Sequence, residues 1–453
     1  MLNRYLTIPF ALLGDSLVLV VSLFLALFVR SQAIPRAEFF ATHATPFFLV
    51  LVTSLCVFFI VGLYDIHSIV HRRTLFTKIV YAQGINAIFS FLFFYLITIW
   101  GITPKTILFL YVVFSSVLLS LWRAQIFPKL IHSIPKEQAL LIAEEEEGRA
   151  LYAALTASSP YPIEVNETFF VKNDADPMSV KTFFDILPQK LSGERRPDVV
   201  IVDMRNKQIA NLSQSLYEYA GSGGKVRSFT EVYESVFDKV TESTLREDSI
   251  VTYLYGQNKG YDAIKRLIDI SIALPLFIFS LPFYALVWIG IKIQDGGEIF
   301  FTHDRMGRGG KRIKLYKFRS MTFGDTSATW VKTEGNENRV TAFGAFIRKT
   351  RIDELPQLWN VLVGDMSLVG PRPDIWSLGV KSAEEIPFYK ARLVVTPGLS
   401  GWAQTHMHTP PQNMEETKER LLYDLYYVKN TSVSLDILIA LKTIKTLLSR
   451  EGM

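Results

Sequence analysis

The sequence predicts three successive parts: a bundle of four membrane-spanning helices, a Rossmann-like α/β domain, and a basic C-terminal domain entered through a proline-containing apolar helix. Three observations predict this. Four apolar stretches fill roughly the first quarter of a 453-residue chain. Short buried-type strands then alternate with helices. A fifth apolar run follows, and after it a stretch dense in Arg, Lys and Gly. Composition agrees. With 49% apolar residues, 33 Phe and a mean hydropathy of +0.23, the chain is too apolar for an ordinary soluble enzyme. At 20% charged residues it is too charged for a pure transporter. Intrinsic disorder, collagen and a nucleic-acid-binding tail are excluded, so no nucleic-acid partner is expected. One cysteine excludes a disulfide framework and any Cys-rich metal site. Cys56 lies in an apolar run, as a small core or lipid-facing residue does. The net charge of +5 is modest, and the placement of Lys and Arg matters more than the sum.

The first four apolar runs are Leu6–Val29, Pro46–Leu63, Ile79–Trp100 and Thr106–Leu121. Each is near the ~20 residues a helix needs to cross a bilayer. The first is not a cleaved signal, because Ser22, Phe24 and Leu25 continue it where a small-residue cleavage site would fall. Arg72, Arg73 and Lys78 follow the second run, and Arg123 and Lys129 follow the fourth. By the positive-inside rule both termini are cytoplasmic, with Arg30 and Arg36 running against it. Asp15 lies inside the first run, where a carboxylate is either functional or paired within the bundle.

Residues from about Pro135 to Tyr255 alternate strand and helix. Ala139–Ala143, Pro197–Asp203 and Lys225–Phe229 read as strands, with helices over Gly148–Leu155 and Gln208–Tyr219. A dinucleotide site would need a Gly-rich turn after the first strand. Here the turn carries Glu144, Glu145, Glu146 and Glu147 before Gly148. Those carboxylates suit a helix N-terminus but repel a pyrophosphate. The domain therefore reads as a degenerate Rossmann-like fold, a spacer or docking module.

Ile270–Ile291 is long enough to span a membrane and contains Pro275 and Pro282. Lys265 and Arg266 precede it, and Lys292 and Arg305 follow. Positive charge on both flanks fits a single crossing poorly, and proline kinks a helix. Entry and return on one side is favoured over a plain fifth span, which would place the C-terminal region outside.

Beyond Gly296 come Arg305–Lys311, Tyr316–Met321, Arg348–Asn360, Gly364–Pro373 and Thr396–Gln404. Together they describe a cationic site around a few carboxylates. Arg forks and Lys point charges suit phosphate oxygens. Glycine turns let backbone N–H groups approach an anion. A carboxylate among such cations can ligate Mg²⁺ or attack phosphorus. Asp353 and Glu354 are adjacent, about 100° apart on a helix, and so suit different tasks. No zinc spacing, P-loop, serine elbow or paired-glycine fingerprint is present.

Residues from about Asp262 onward resemble the catalytic domain of bacterial polyprenyl-phosphate hexose-1-phosphate transferases, the monotopic phosphoglycosyl transferases of the bacterial sugar transferase family. The stretches Tyr316–Met321, Asp353–Asn360, Gly364–Pro373 and Pro397–Gln404 carry the resemblance. The four spans and the degenerate α/β domain look like the long form of that family. The resemblance implies a mostly α monotopic catalytic domain with a re-entrant helix broken at Pro282. It implies transfer of a sugar-1-phosphate from a UDP-sugar to undecaprenyl phosphate with release of UMP. Asp353 matches the nucleophile of a ping-pong scheme and lies at the Mg²⁺ cofactor. Glu354 matches the second dyad member. Lys317, Arg319, Arg348, Arg372 and Gln404 fall on substrate- and phosphate-binding positions. The implied location is the bacterial inner membrane, with the catalytic domain cytoplasmic, the bilayer as partner and a homodimer as a plausible assembly.

Two departures stand out. Leu281 precedes Pro282 where the family often has Ser, with Ser280 one step earlier. After Gln404 the run is Thr405-His-Met-His-Thr409, which lacks the Arg that the resemblance leads one to expect there. The tail Ser432–Leu448 suits an amphipathic interfacial helix or a core helix equally. The expected domains are residues 1–134, 135–257 and 258–453. Competing readings are a membrane-anchored NAD-dependent nucleotide-sugar dehydratase or epimerase, opposed by the four-Glu turn, and a non-catalytic scaffold for polysaccharide assembly.

Overall fold

The computed structural model describes residues 2–64, 72–96, 105–132, 136–157, 163–171, 177–193, 196–245, 259–294, 296–320, 341–407 and 409–449. Trp100, Pro135, Tyr255, Met321 and His408, which the sequence readings touch, lie outside these residues. The chain divides into two compact units, Met1–Val236 and Phe237–Met453.

The first unit opens with four apolar helices, Leu2–Ser31, Ala37–Ile60, Arg72–Leu96 and Lys105–Leu121. They are apolar nearly all round, so each buries one side and exposes another. Leu19, Leu23, Phe47, Phe58, Ile79 and Leu119 form the shared core, while Leu17, Phe48, Val80 and Phe109 face outward. The second helix starts at Ala37 rather than Pro46, and Pro46 is buried inside it. Among the described residues, five helices are long and apolar enough to cross a membrane by length and composition, the fifth being Gly260–Ile293.

Asp15 is paired within this bundle. Arg123 Nε donates to its Oδ1 at 2.9 Å, and Arg123 Nη2 and Tyr64 Oη donate to its Oδ2 at 2.5 and 2.8 Å. Arg123 Nη1 reaches the Leu63 carbonyl at 3.3 Å. Arg123 sits in a five-residue π turn, Trp122–Ile126, that follows the fourth helix. Gly14 permits the close approach of Trp122, since a Cβ there would lie 2.0 Å from its Cζ2.

The middle of the chain forms a four-stranded parallel sheet ordered β2-β1-β3-β4, from β1 (Glu137–Glu144), β2 (Ile163–Val171), β3 (Val199–Val202) and β4 (Lys225–Ser228). The central strands are continuous apolar runs, as strands covered on both faces are. β2 and the helix Pro177–Ser192 were not expected from the sequence. β2 is an edge strand, and Glu164, Asn166 and Glu167 dilute its apolar signal. The expected helix Gln208–Tyr219 is two pieces, Lys207–Ala210 and Ser213–Gly221. At the carboxyl ends of β1 and β3, Arg205 forks onto buried Asp203 with two contacts of 2.8 Å and lies 3.5 Å from Glu147. Protein charges neutralise one another where such sheets usually receive a ligand.

The second unit is mostly helical with small sheets. Its long helix, Lys259–Gln294, is helical at every residue, and its 36 residues extend roughly 54 Å at the α-helical rise. Pro275 and Pro282 lie inside it, and the backbone on both sides of each is helical. A proline removes one hydrogen bond and pushes on the carbonyl four residues back, but the flanking bonds carry the helix past it. Ser280 Oγ donates to the Phe277 carbonyl at 2.7 Å beside the disturbed turn.

Next comes an antiparallel hairpin, β5 (Phe300–Met306) and β6 (Arg312–Phe318), with Phe301 opposite Lys317 and Arg305 opposite Ile313. β7 (Ser367–Val369) and β8 (Gly398–Ser400) pair in parallel. Their backbones touch so closely that a Cβ on Gly398 would lie 2.1 Å from the Gly370 nitrogen. Two cores matter for the site. Ala273, Leu315, Leu358, Val361 and Met366 join the long helix to the hairpin. Trp402, Leu421, Leu425, Tyr427 and Ile439 join the last two helices, Met414–Lys429 and Val433–Ser449. The final helix buries Leu435 and Ile439 yet exposes Ile437 and Ile444, so it has both a core face and an apolar outer face.

Candidate active site

The dyad sits in a short 3₁₀ turn, Ile352–Glu354, ahead of the helix Gln357–Val363. Arg351 enters that turn in the left-handed region, with φ 57° and ψ 15°. A non-glycine residue rarely adopts this conformation, so the turn is held by its surroundings. Gly364, at φ 95°, ends the helix.

Asn360 is the fixing point. Fully buried, it accepts from the Tyr316 N–H at 3.2 Å and donates to the Lys314 carbonyl at 2.7 Å. The dyad helix is thereby locked to β6. At the helix C-terminus, Arg266 donates to the Val361 and Leu362 carbonyls at 2.5 and 2.6 Å. Asp269 accepts from the Leu368 N–H at 3.1 Å. The long apolar helix thus grips the dyad helix directly.

This framework brings Lys317 Nζ to 2.7 Å from Glu354 Oε1 and 3.8 Å from Asp353 Oδ2. Arg372 Nη2 lies 3.0 Å from Glu354 Oε1, and Arg351 Nη1 lies 3.8 Å from its Oε2. Burial opposes the charge on Glu354, but Arg372, Lys317 and Arg351 outweigh it and hold the carboxyl well below its ordinary range. Asp353 differs. Burial raises its carboxyl, with Glu354 adding repulsion, and Lys317, Arg348 and Arg351 offset this only in part. Its Oδ1 is buried and lacks a hydrogen-bond partner. The neighbours therefore differ as their spacing suggests: Glu354 is a neutralised anchor, and Asp353 is a carboxylate with an unused oxygen.

Of the residues singled out in the sequence, Lys317, Arg372, Asp353 and Glu354 meet at one point. Arg348 ends the helix Ala342–Lys349, exposed, and acts on Asp353 through its field. Arg319 packs over Gly297, where a Cβ would lie 1.9 Å from its Nη1, so this glycine makes room for the guanidinium. Gln404 is exposed, with its Oε1 beside Gly401 at the turn that carries Arg372. Pro282 lies in the long helix rather than among these charges.

Sequence reasoning missed the supports. Asn360 and Arg266 stood in quoted stretches, but nothing local marks a hydrogen bond 46 or 95 residues away. A buried network also carries the Arg372 loop. Arg392 donates to the Arg372 carbonyl at 2.8 Å, pairs with Asp424 at 2.8 Å and also pairs with Asp374. Asp374 is held low overall, since Arg392 and Arg420 overcome its burial.

Comparison with known proteins decides the family. Residues 260–450 match the family model described as "Bacterial sugar transferase". The "Exopolysaccharide production protein PSS" of Rhizobium leguminosarum bv. phaseoli is 38% identical over 192 residues, which cover 96% of that protein and 41% of this chain. The chain belongs to the bacterial sugar transferase family. A family member in Aeromonas hydrophila, named "UDP-N-acetylgalactosamine-undecaprenyl-phosphate N-acetylgalactosaminephosphotransferase", is 37% identical over 264 residues, 57% of this chain and 61% of that protein. The "Undecaprenyl-phosphate galactose phosphotransferase" of Salmonella typhimurium is 37% identical over 204 residues, 42% of this chain and 41% of that protein. The chain thus spans about half the length of these two relatives. In this bacterial sugar transferase, the matched region contains the dyad together with Lys317, Arg348, Arg351 and Arg372, the cations that act on it most strongly among the described residues.

Among the described residues no group of three His, Cys, Asp or Glu side chains could enclose a metal ion. A divalent cation would meet one available carboxylate, Asp353, because Glu354 is already taken by cations. Mg²⁺ fits such a donor set, since it commonly takes one or two carboxylates and completes its shell with substrate phosphate and water.

Proposed function

We propose that the chain transfers a sugar-1-phosphate from a UDP-sugar to undecaprenyl phosphate, releasing UMP, as an initiating step of surface glycoconjugate assembly. The single observation that carries the proposal is the unpartnered, buried Oδ1 of Asp353 beside Lys317 and the ion-paired Glu354. The names of the relatives supply the substrate class.

In this reading Asp353 Oδ1 attacks the sugar-bearing phosphorus in line. A P–O bond forms to the carboxylate, and the P–O bond to UMP breaks with its electron pair leaving on UMP. An oxygen of undecaprenyl phosphate then attacks the same phosphorus, and the Asp353 carboxylate leaves. Lys317 and Arg372 gather the phosphates, and Arg348 approaches from the exposed side. Glu354 keeps both cations oriented while its own charge is spent on them. Mg²⁺, held at Asp353, would neutralise charge on the diphosphate and its leaving group.

The long helix is read as re-entrant, turning by a kink at Pro282 that leaves the residues on either side helical, with its apolar outer face in the cytoplasmic leaflet and the dyad at the interface. Arg266 and Asp269 tie its polar start to the dyad helix. The four N-terminal helices are read as crossing the membrane with both termini cytoplasmic. The parallel sheet is read as Rossmann-like without a nucleotide site, in keeping with the Asp203–Arg205–Glu147 cluster.

The test is a donor labelled at the sugar-bearing phosphorus, given to the protein without lipid acceptor. Label should become covalently attached to Asp353 with one equivalent of UMP released. Transfer to added undecaprenyl phosphate with no protein-bound intermediate would sink the covalent step.

A further inference from the structure

Arg305 is the next-to-last residue of β5, within the field of Glu354 and Arg372, and the transfer chemistry leaves it unused. Its backbone is pinned to the segment just after Arg372. Met306 N–H donates to the Asp374 carbonyl at 3.0 Å, and Arg305 forms a bridge with Ile375. In the hairpin, Phe301, His303 and Arg305 share a face by alternation, and Phe301 lies opposite Lys317. Arg305 therefore stands on the same side of the hairpin as the lysine that grips the dyad.

The side chain is largely buried and poorly compensated. Nη1 donates to the Pro373 carbonyl at 3.3 Å, while Nε is buried without a hydrogen-bond partner. Among the described residues Arg305 forms no ion pair, in contrast to Lys317 and Arg372, which both spend charge on Glu354. Burial first, and the neighbouring Arg372 second, push its guanidinium down to about 10, against partial relief from Asp374 and Glu354. A buried cation short of partners is costly. Five donors in a fixed fork suit an oxyanion that supplies the missing charge.

We propose that Arg305, with Arg372, binds the diphosphate of the nucleotide-sugar donor, as a phosphate-binding residue outside the dyad. This rests on the reading of the donor as a nucleoside diphosphate sugar. The fork would lie against phosphate oxygens on the Arg372 side of Glu354, leaving Lys317 to the phosphorus nearer Asp353.

The experiment uses the full chain in lipid nanodiscs, with UDP as probe and no acceptor. Arg305→Met should weaken UDP binding by roughly 10- to 100-fold, the range for losing a charge-assisted hydrogen bond. Arg305→Lys keeps the charge and loses the fork, so it should lose less. With donor present, KM should rise by more than kcat falls. The unliganded thermal midpoint of Arg305→Met should equal or exceed that of the parent, because an under-compensated buried charge has gone. UDP binding by Arg305→Met at the parental level would overturn the assignment. So would a lowered unliganded midpoint with UDP binding not recovered by Arg305→Lys, the mark of a mere strut for the Pro373 carbonyl. Failure of the parent to bind UDP would instead defeat the donor reading itself. A parent that binds and transfers beside an unaffected Arg305→Met defeats only the role of Arg305.

Discussion

Asp15 and Asp353 are both buried carboxylates with an arginine or lysine nearby, yet they are built differently. At Asp15 both oxygens accept hydrogen bonds, and Arg123 adds a bond to the Leu63 carbonyl. That site is closed: each charge has its partner inside the protein. At Asp353 one oxygen is orphaned, the nearest cation prefers Glu354, and Arg348 faces outward. That site is open. Closure is what a structural charge needs in an apolar bundle, and openness is what a reacting carboxylate needs. The largest effect expected follows from this. Asp353→Asn keeps the shape and removes the nucleophilic charge, so UMP release from a UDP-sugar should fall by about 10³-fold or more. Near-parental turnover in that variant would erase the distinction between the two sites.

The closed site gives the next largest effect, on stability and not on turnover. Arg123→Ala leaves Asp15 buried and unpaired, and should cost about 3–5 kcal/mol. The double variant Asp15→Leu/Arg123→Leu removes both charges and should recover most of that loss. UMP release per folded molecule should stay at the parental level. Thermal unfolding in detergent, together with donor turnover, checks both statements. A double variant as unstable as Arg123→Ala would mean that the pair does more than satisfy itself.

A smaller loss is expected at the framework of the open site. Asn360→Ala abandons the Tyr316 N–H and the Lys314 carbonyl, both engaged now at 3.2 and 2.7 Å. The expected cost is about 2–4 kcal/mol for two stranded backbone groups. Turnover should also fall, because β6 presents Lys317 to the dyad. A stability loss with unchanged turnover would show that β6 holds its register without Asn360.

The contrast also explains what could be read in advance. Long apolar runs and central strands announce themselves, because burial on all sides leaves no polar face to hide them. That covers the N-terminal helices, β1 and β3. β2 escaped because its solvent face carries Glu164, Asn166 and Glu167. The β5–β6 hairpin escaped because Arg305 and Lys317 read as parts of a cationic site, whereas they stand on one face of two paired strands. Asp15 was left between two readings, and only tertiary contact with Arg123, 108 residues away, settles it. At the open site, the dyad and its cations were legible as residue types matching a family. What each does to the other was not legible. Lys317 lies 37 residues from Glu354 in sequence, and its preference for Glu354 over Asp353 exists only in the folded register. Pro282 marked a bend by its chemistry, and the residues on both sides of it are helical.

The finest distinction lies within the open site, between two adjacent carboxylates of opposite behaviour. Glu354 is held below its ordinary 4.5. Its ionised form is therefore favoured by folding, and this stabilisation is full above about pH 4.5 and fades as the pH falls toward the folded-state value. Asp353 is raised above its ordinary 3.8. Folding favours its neutral form, so its ionised carboxylate costs stability once the pH rises through the folded-state value. With a chelator present, Glu354→Gln should lower the thermal midpoint at neutral pH by a few degrees. Asp353→Asn should raise it, by less. Both differences should shrink as the pH falls: for Asp353 because its carboxyl becomes neutral in the folded parent, and for Glu354 because below about pH 4.5 the unfolded chain takes up the proton that the folded site refuses. Two variants that shift the midpoint in the same direction at neutral pH would mean that Lys317 and Arg372 serve both carboxylates alike, and Asp353 would then be no more available to a phosphorus than Asp15 is.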